Sequence, residues 1–293
     1  MVSFKPTSAS STSATVRPLR ARPSAPPAMT WPIFDGLGLD AVITTRAGGV
    51  SRGRYTSLNL GLHVGDDPEA VLSNRRRAAA TVGGTIDDLV FCQQVHGSQA
   101  AVVTGRDRGR GATSSSDAIA GADALITSVA GPVLVIMVAD CVPLVLFDPV
   151  RRIVACVHAG WGGTVRAVTS AVVERLAGLG SDPADLVVGI GPSISPQRYQ
   201  VGADVAEAVG TAFGPRAPEL IRPAGTGAWT FDLWQANLIQ LTSAGVPASR
   251  IQLAGLDTGP QTPFFSHRSE GPTGRFAVLA RLTEARDSEE TQQ

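Results

Sequence analysis

The chain has 293 residues, of which 43% are hydrophobic, and its 25 acidic residues balance its 25 basic ones. A chain of this length and apolar content can bury a sizeable core. Its zero net charge excludes the strongly basic surface that nucleic-acid binding and attachment to acidic membranes require. The expected partners are therefore small soluble molecules, with no nucleic acid and no membrane.

The sequence also predicts no membrane span and a reducing compartment. Its longest apolar run, PVLVIMVADCVPLVLF, is interrupted by Asp140 and Pro143 and is shorter than the ~20 residues that cross a bilayer. Cysteines are few and odd in number, three in all, and no secretory apolar segment is found at the start. We therefore expect free thiols and a cytoplasmic location.

The two ends of the chain differ in composition from its middle. Residues 1–28 are rich in Ser, Thr, Ala, Pro and Arg, and the first acidic residue is Asp35. Such a segment buries too little apolar surface to fold, so we predict a disordered tail, with Met29 as an alternative start. The polar residues 286–293 are predicted to be frayed. Residues 30–285 contain no repeat or linker and are predicted to form a single domain.

In chain order, the first predicted elements are a strand, LDAVITTR, a glycine-rich loop and an extended segment, LNLGLHVGDD. A helix is predicted over DPEAVLSNRRRAAATVGG, because Asp66 or Asp67 can cap it, Pro68 fits its first turn and two glycines end it. The segments DLVFCQQVHG and SQAAVVTG then have the apolar and β-branched residues typical of strands.

Four β-rich runs follow in close succession: ADALITS, PVLVIMVAD, VPLVLFD and RIVACVHA. The short turns between them favour antiparallel pairing. The C-terminal half mixes predicted helices (VRAVTSAVVERLAGLG, VGADVAEAVGTAFG, FDLWQANLIQLTSAG) with strands (LVVGIGP, RIQLAGL, RFAVLARL). Because strands come in blocks and do not alternate with helices one for one, we predict an α+β fold of mixed β-sheets flanked by helices.

Three potential metal ligands, His96, Cys141 and His158, each stand at the tip of a strand-like run. Strand ends can converge on one point, and two imidazoles with one thiolate match the ligand preferences of zinc. Three protein ligands leave a coordination position open for water or substrate, which is typical of a catalytic site. Each residue could instead be an ordinary buried side chain, but the chain has four His and three Cys in all, and matching positions for three of them favour a metal.

Strand geometry helps to choose the sulfur ligand. On a regular strand Cys92 shares a face with His96 but lies ~13 Å from it, because each residue advances about 3.3 Å, and this distance excludes Cys92. Cys156 precedes His158 by two residues, on the same face, and rivals Cys141. We prefer Cys141 because it ends its run, whereas Cys156 lies inside one, but the residues alone leave both open.

Taken in order, several motifs resemble the laccase-domain (YfiH-type) family of purine nucleoside phosphorylases and adenosine deaminases, formerly called polyphenol oxidases or multicopper-oxidase-like proteins. The motifs are TTRAGGVSRGRYTSLNLGLHVGDD, QQVHG, ADALIT, VADCVPLVLFD, VHAGWGGTVR, GIGPSISPQRYQVGADV and FFSHRSEGPTGR. They extend over nearly the whole chain, from about Ala41 to Leu282. The sequence VHAGW after ADC is the most specific of them.

The resemblance implies that the metal ligands are the His of QVHG, the Cys of ADC and the His of HAGW, here His96, Cys141 and His158. It thereby selects Cys141 over Cys156. It also implies a fold related to the catalytic domain of cytotoxic necrotizing factor toxins. The implied activity is phosphate-dependent cleavage of adenosine, inosine, guanosine and methylthioadenosine, with some adenosine deamination.

Phosphate-dependent cleavage requires groups that bind an anion. Arg46 in TTRAGG has a planar guanidinium suited to phosphate. Gly162, Gly163 and Thr164, in GWGGT before the predicted helix, offer backbone N–H groups at a helix N-terminus. Asn59 in SLNLG is a candidate for binding a ribose hydroxyl. The alternatives are a surface ion pair for Arg46, a tight turn for the glycines and turn formation for Asn59.

A zinc ion in this site would act as a Lewis acid, either on water for deamination or on a phosphate or ribose oxygen for phosphorolysis. Zinc deaminases use a separate carboxylate as proton carrier. The sequence has no HxE motif, and Asp140 and Asp123 are the nearest candidates. We assign Asp140, with Arg46 and Cys141, to catalysis.

The sequence departs from the family pattern near its C-terminus. It has Asp257-Thr258 where compared members carry Cys-Thr, and His267-Arg268-Ser269 where they carry Tyr-Arg-Arg. These differences bear on substrate range more than on the metal. His267 and Arg268 are candidates for the rim of the site, and His63 is interpreted as structural.

Three other functions compete with a purine nucleoside phosphorylase. Two His and one Cys can also hold copper in a polyphenol oxidase, but a trinuclear copper cluster needs many more histidines than the two left over, His63 and His267. A Cys141–His158 hydrolase would use the thiolate as nucleophile. A role in quality control of cell-wall precursors is the third alternative.

Overall fold

The structure is a computed structural model that describes residues 16–20 and 25–283. Within these ranges the strands are β1 (Arg17–Pro18), β2 (Ala28–Thr30), β3 (Leu39–Thr44), β4 (Leu89–Phe91), β5 (Ala100–Val102), β6 (Ala124–Thr127), β7 (Val133–Val138), β8 (Val142–Asp148), β9 (Ile153–Ala159), β10 (Val187–Ile190), β11 (Gln200–Val201), β12 (Ile221–Gly225), β13 (Ala228–Phe231), β14 (Ile251–Leu253) and β15 (Phe276–Leu282). The helices are α1 (Pro68–Ala80), α2 (Trp161–Val165), α3 (Val168–Gly178), α4 (Ala203–Phe213), α5 (Leu233–Ser243) and α6 (His267–Glu270).

The described strands form three sheets. Sheet I has the order β1-β2-β3-β15-β7-β4, sheet II the order β14-β10-β8-β9-β6-β5, and the small sheet III the order β11-β13-β12. In sheet I, β15 pairs antiparallel with β3 and β7, while β4 runs parallel to β7. In sheet II, β9 pairs antiparallel with both β8 and β6, while β14 runs parallel to β10. Both large sheets are therefore mixed.

Sheets I and II pack face to face, and their central strands are buried on both faces. In β15, Phe276 and Val278 belong to the core between the sheets, whereas Ala277 and Leu279 belong to the core shared with α1. Strand β9 alternates in the same way between sheet I and the core that contains α3, α4 and α5. Because side chains on a strand point alternately to its two faces, burial of both faces requires continuous apolar runs.

Strands β7 and β8 follow each other closely but belong to different sheets. Residues 139–141 therefore carry the chain from sheet I to sheet II. The predicted antiparallel pairing of the four β-rich runs is correct for β8 with β9 and wrong for β6 with β7 and for β7 with β8, because sheet packing separates them. The crossing puts Cys141 at the boundary between the two sheets.

Helix α1 begins and ends where its sequence predicts. The Asp67 carboxylate caps it by accepting a hydrogen bond from the Glu69 N–H at 3.1 Å, and Pro68 occupies its first turn. Gly83 follows the helix with φ of 66°, a left-handed conformation that glycine adopts without steric cost. Helices α4 and α5 and strands β10, β14 and β15 also lie within the predicted segments.

Three parts of the chain differ from the prediction. Residues 16–20 and 25–28, assigned to the disordered tail, contain β1, which pairs antiparallel with β2, and Arg17 forms an ion pair with Asp35. Residues 1–15, 21–24 and 284–293, including the segment predicted to be frayed, lie outside the described residues. Sheet III was not predicted. The helix expected from Val165 begins at Val168, because Ala167 has φ of 58°, and the GWGG segment before it forms the short helix α2.

The α+β prediction is confirmed, since mixed sheets are flanked by helices on both sides. Among the described residues, no helix combines the length and apolar character needed to span a bilayer.

Candidate metal centre

The three predicted metal ligands come together at the boundary between sheets I and II. His96 lies in the loop after β4, Cys141 in the crossing between β7 and β8, and His158 in β9. One ligand atom from each residue, two imidazole nitrogens and the Cys141 Sγ, lies within 4.8 Å of the others. The pairing of Pro143 with His158 across β8 and β9 brings Cys141 to the end of β9. Sheet register thus unites two of the ligands.

His158 is held by the strand that carries it and by a buried carboxylate. It is 3% exposed, and its Nδ1 lies 2.8 Å from Oδ1 of Asp123. This hydrogen bond leaves Nε2 as the nitrogen available to a metal. A carboxylate on the second nitrogen fixes the tautomer and the ring orientation of a metal-binding histidine.

His96 is held by a loop and not by a strand. Strand β4 ends at Phe91, and His96 itself has φ of 58°, a left-handed conformation that is uncommon for residues other than glycine. The Gln94 side chain pairs with β7, donating to the Met137 carbonyl at 2.8 Å and accepting from the Met137 N–H at 3.0 Å. The prediction of a strand as far as His96 is therefore wrong.

Asp123 connects the two histidines. Besides His158, its carboxylate accepts hydrogen bonds from the backbone N–H groups of Val95, His96 and Gly97 at 3.2, 2.9 and 2.7 Å. Burial opposes ionisation of Asp123, but the hydrogen bonds from His158 and from the loop backbone outweigh it and lower the pKa of the carboxyl. Asp123 was predicted as a candidate proton carrier; the structure shows it fully engaged in holding both histidines.

Cys141 and His158 shift each other's pKa. Burial of the thiol opposes its ionisation, but the charge and hydrogen bond of His158, with those of His96, lower the pKa of Cys141 to about 6. The thiolate and Asp123 in turn raise the pKa of His158 to about 9, against the effect of burial. Without a metal, these shifts favour a thiolate and an imidazolium, and metal binding would displace the imidazolium proton.

The donor set fits a tetrahedral zinc ion. The Cys141 Sγ lies 3.8 Å from Nε2 of His96. Zn–N and Zn–S bonds of about 2.1 and 2.3 Å at a tetrahedral angle put nitrogen and sulfur about 3.6 Å apart. This pair is therefore close to the required geometry, and the three ligand atoms lie within 4.8 Å of one another. His96, Cys141 and His158 would hold the ion once the cluster contracts around it.

The glycines after His158 allow the close packing of this centre. A Cβ on Gly160 would lie 2.7 Å from Cδ2 of His96 and 2.9 Å from the Cys141 Sγ. A Cβ on Gly162 would meet the Arg166 guanidinium at 2.8 Å, and one on Gly163 the carbonyl of Gly97 at 3.0 Å. The GWGG motif therefore has a steric role, because it allows α2 to pack against the His96 loop, and the predicted anion-binding role of Gly162, Gly163 and Thr164 stays a prediction.

A cavity of ≈ 480 Å³ opens beside the three ligands. Its wall combines the metal centre with apolar, amide and basic side chains. Residues that line the cavity include His63, Arg75, Phe91, Met137, His267 and Arg275. Its volume lies in the range typical of small-molecule sites.

Asp140 does not reach the cavity. Its Oδ1 accepts a hydrogen bond from the Thr258 hydroxyl at 2.6 Å and its Oδ2 one from the Arg268 N–H at 2.6 Å. Asp140 has φ of 93°, so these contacts hold an unfavourable backbone conformation directly before Cys141. These contacts favour a role for Asp140 in positioning Cys141 over the predicted catalytic role.

Arg46 also lies away from the cavity lining. Its Nη2 lies 3.0 Å from Oε1 of Glu270, and its guanidinium stacks over the ring of Phe265 at 4.6 Å. The structure thus favours the ion-pair alternative over the predicted phosphate contact.

Asn59 and Thr164, both predicted to bind substrate, are buried and use their polar atoms within the protein. The Asn59 amide donates to Asp66 at 2.9 Å, and its oxygen accepts from the N–H groups of Gly61 and Arg275, each at 2.9 Å. The Thr164 carbonyl accepts from Gln240 at 2.6 Å. Neither residue is among those that line the cavity, and these contacts favour a structural role for both.

The remaining cysteines are separate from the ligand cluster. Cys156 lies in the core between the sheets with no exposed area. Cys92 lines the cavity but is 5% exposed, and burial raises its pKa to about 12. All three thiols are free. The choice of Cys141 agrees with the geometry, although the regular strand assumed for excluding Cys92 does not exist.

The other polar residues noted near the site divide between the cavity and its surroundings. His63 and His267 both line the cavity. Arg268 does not, since its guanidinium stacks over Tyr199 and donates to the Gln200 carbonyl at 2.6 Å.

Sequence reasoning named Asp123 only as a candidate proton carrier and missed other residues that shape the site. Asp123 was available as a carboxylate at the start of an apolar run, a position where burial requires hydrogen-bonding partners. Gln94, Arg75 and Arg275 carried no comparable signal, because their roles depend on segments that meet only in the folded chain.

Mixed sheets enclosing a His, Cys and His centre beside a cavity define the class of this protein. Residues 40–283 match the family described as multi-copper polyphenol oxidoreductase laccase, and the chain belongs to this family. Similar proteins have names that refer to purine nucleosides and not to polyphenols.

Over 250 residues the chain is 40% identical to a protein named purine nucleoside phosphorylase YlmD from Geobacillus stearothermophilus, which covers 83% of this chain and 89% of the relative. It is 38% identical over 235 residues to a protein named adenosine deaminase RL5 from an unknown prokaryotic organism, covering 80% and 90%. The crystal structure of the Geobacillus YlmD matches with a TM-score of 0.85 at 37% identity, covering 91% of this chain and 99% of that one. The fold is the same.

Proposed function

We propose that this protein is a zinc-dependent purine nucleoside phosphorylase. It would convert adenosine, inosine, guanosine and methylthioadenosine with phosphate into the free base and the sugar 1-phosphate. The observation that carries this proposal is the cluster of His96, Cys141 and His158 at the wall of a ≈ 480 Å³ cavity. Relatives named as such phosphorylases support it.

Zinc is the metal that the donor set favours. Two imidazoles and a thiolate at the observed separations fit a tetrahedral ion with one open position. When bound, zinc supplies Lewis acidity toward an oxygen of the substrate. The protein's own part is to hold the two histidines through Asp123, to keep the thiol ionised and to enclose the substrate.

The cavity wall offers separate surfaces for the base and for polar groups. Phe91 and Met137, with Val138 and Ala118, provide an apolar surface suited to a purine ring, and the basic residues provide a surface suited to an anion. This division fits a nucleoside and phosphate bound together. No negatively charged carboxylate is among the residues that line it.

The reaction is tested by incubating the protein with inosine or adenosine, with and without phosphate, and separating the products. We expect free base and ribose 1-phosphate only when phosphate is present. Accumulation of inosine from adenosine regardless of phosphate would instead assign deamination as the main activity. The relative named adenosine deaminase supports that second activity, but zinc deaminases need a carboxylate as proton carrier, and Asp123 and Asp140 are both occupied.

One observation favours a second candidate function, a Cys–His hydrolase. The Cys141, His158 and Asp123 side chains form a series in which a lowered thiol pKa and a carboxylate-bound imidazole coincide, the features of an activated cysteine nucleophile. Chelation distinguishes the two functions. A hydrolase would keep its activity on ester substrates after removal of metal, whereas the phosphorylase would lose activity and regain it with zinc.

A copper-dependent polyphenol oxidase is less well supported, despite the description of the family. The chain has four histidines, and the described residues contain a single cluster able to hold a metal. A multicopper oxidase needs a trinuclear cluster as well. Nothing in the described structure favours a cell-wall role, and this role, the cytoplasmic location and the single catalytic domain of residues 30–285 stay predictions.

A further inference from the structure

Two arginines contribute to the cavity wall, Arg75 from α1 and Arg275 from the residue before β15. They are distant in sequence, and both lie in the cavity that contains the metal centre. Neither forms an ion pair with a carboxylate among the described residues. This is unusual for Arg75, which is buried, because burial of an uncompensated charge costs free energy, whereas Arg275 is partly exposed.

Arg75 is 2% exposed and surrounded by neutral groups. Its Nε donates to the Leu60 carbonyl at 2.9 Å, and its Nη1 donates to the carbonyls of Gly111 and Ala112 at 2.6 and 2.8 Å. The guanidinium stacks over the ring of Phe91 at 3.9 Å. Burial lowers the pKa of Arg75 to about 9, so the group remains charged at neutral pH.

The second amino group of Arg75 is left without a strong acceptor. A guanidinium has five N–H groups, and three of those on Arg75 are bound to carbonyls. The partner of Nη2 within the described residues is the Met137 Sδ at 3.9 Å, a weak acceptor. Met137 lines the cavity, so this amino group lies on the cavity side.

Arg275 has similar unused donors. Its Nη1 donates to the carbonyls of Thr273 and Gly274 at 2.9 and 3.1 Å. Its Nε and Nη2 have no hydrogen-bond partner within the described part of the chain. Burial, and then the charges of Arg275 and Arg75, lower the pKa of His63, which places the two guanidinium groups and this imidazole in one electrostatic neighbourhood.

The cavity therefore has positive charge in excess. No carboxylate of the described residues lines the cavity, although the charges of Cys141 and Asp140 favour the ionised form of Arg275 from nearby. A cavity with low-dielectric walls concentrates the field of the two guanidinium groups on its contents. Guanidinium groups with free N–H donors match the oxygens of phosphate in charge and in planar geometry.

We propose that Arg75 and Arg275 form the binding site for the phosphate co-substrate, in place of the predicted Arg46. The proposal rests on the proposed phosphorolysis. In that reaction a phosphate oxygen forms the bond to C1′ of the ribose with its own electron pair, the pair of the C1′–N bond leaves with the base, and the phosphate proton goes to the departing nitrogen. The arginines would bind and orient the phosphate.

The test compares Arg275→Gln and Arg75→Lys with Arg76→Gln, a control that removes an exposed arginine from the same helix as Arg75. Two quantities are measured: the KM for phosphate at saturating inosine, and the rise in Tm that inorganic phosphate alone produces over potassium chloride of equal ionic strength. Zinc content is determined for each variant.

We expect Arg275→Gln to raise the phosphate KM about ten-fold or more, since loss of a charge-assisted hydrogen bond costs about one decade in affinity. It should also abolish the stabilisation by phosphate, with zinc content unchanged. Arg75→Lys should give the same direction of change, and Arg76→Gln should behave like the wild type. Arg75→Lys removes backbone contacts as well, so Arg275→Gln decides if that variant does not fold.

Wild-type values for phosphate KM and phosphate stabilisation in Arg275→Gln would overturn the anion site while leaving phosphorolysis intact. If the wild type cleaves no nucleoside but phosphate still stabilises it through Arg275, the proposed function fails and the anion site stands.

Discussion

The two histidines of the metal centre are held by different means. His158 lies within β9, paired on both sides by β8 and β6, so the backbone ladder fixes it. His96 lies in a loop with φ of 58° and is fixed by side chains, Gln94 and Asp123. The position of His158 therefore depends on the sheet, whereas the position of His96 depends on a few hydrogen bonds that single substitutions can remove. We call His158 and His96 the strand-held half and the loop-held half of the centre.

The first prediction concerns the removal of Cys141, the ligand that lies between the two halves. Cys141→Ala should reduce the zinc content of the purified protein from about one ion per chain to none, because two imidazoles alone do not complete a zinc site. Cys92→Ala is the matched control and should retain the ion, since Cys92 lies outside the ligand cluster. Elemental analysis of the three proteins measures this. Several copper ions per chain, or no metal in the wild type, would refute the zinc assignment.

The second prediction removes the connection between the halves. In Asp123→Asn the amide cannot accept from all the N–H groups that the carboxylate binds, and we expect zinc affinity to fall by about 10- to 100-fold, the range found when carboxylates behind metal-binding histidines are changed. Competition with a chromogenic chelator measures the Kd. Asp35→Asn, which alters an exposed ion pair with Arg17, is the control. Unchanged affinity in Asp123→Asn would show that the loop-held half needs no carboxylate.

The third prediction concerns a substitution that would force His96 and Cys141 apart. The new Cβ in Gly160→Ala would overlap both His96 and Cys141, so we expect zinc affinity to fall by about ten-fold, corresponding to ~1.4 kcal/mol. Gly178→Ala is a suitable control, because a Cβ there meets nothing within 4 Å. The same chelator competition applies, and wild-type affinity in Gly160→Ala would mean that the loop yields without loss of binding geometry.

The fourth prediction concerns the metal-free centre. Because the pKa of Cys141 is lowered to about 6, its thiolate is lost as pH falls through that value and is formed above it. Alkylation of Cys141 by iodoacetamide should therefore accelerate about ten-fold from pH 5 to pH 7 and change little beyond. Cys141→Ser supplies the background rate from the two buried thiols. A rate that keeps rising to pH 9 would indicate an ordinary thiol, and added zinc should protect Cys141.

The smallest effect is expected at Arg46, which belongs to neither half. Lysine preserves the charge toward Glu270, and a partly exposed ion pair contributes about 0–1 kcal/mol. Arg46→Lys should thus keep the zinc content and the phosphate KM of the wild type and lower the Tm only slightly. Kinetic assays and thermal unfolding measure these quantities. A ten-fold increase in phosphate KM would restore Arg46 as the anion-binding residue.

The sequence predicts what strands and helices determine locally and fails where distant segments meet. The strand pattern indicated β7, β8, β9 and β15, and His96, Cys141 and His158, which were predicted as ligands from their places in apolar runs, lie close together in the structure. The partners of Asn59, Asp140 and Arg46 could not be predicted, because they lie far away in the sequence. Arg46 and Asn59 bind residues 224 and 216 positions away, and Asp140 binds residues 118 and 128 positions away. The steric role of the GWGG motif could not be predicted, because the sequence alone does not show that its glycines pack closely against an imidazole and a thiol.

The crossing of the chain between β7 and β8 has a consequence for folding. His96 follows an edge strand of sheet I, His158 belongs to sheet II, and Cys141 lies between them. A bound ion would therefore cross-link sheets I and II. Such an ion can bind with full affinity only after the sheets have docked, and it would then stabilise the docked state by about 2.7 kcal/mol at a free concentration 100 times its Kd. An ion required for catalysis would in this way also stabilise the packing of the two sheets against each other.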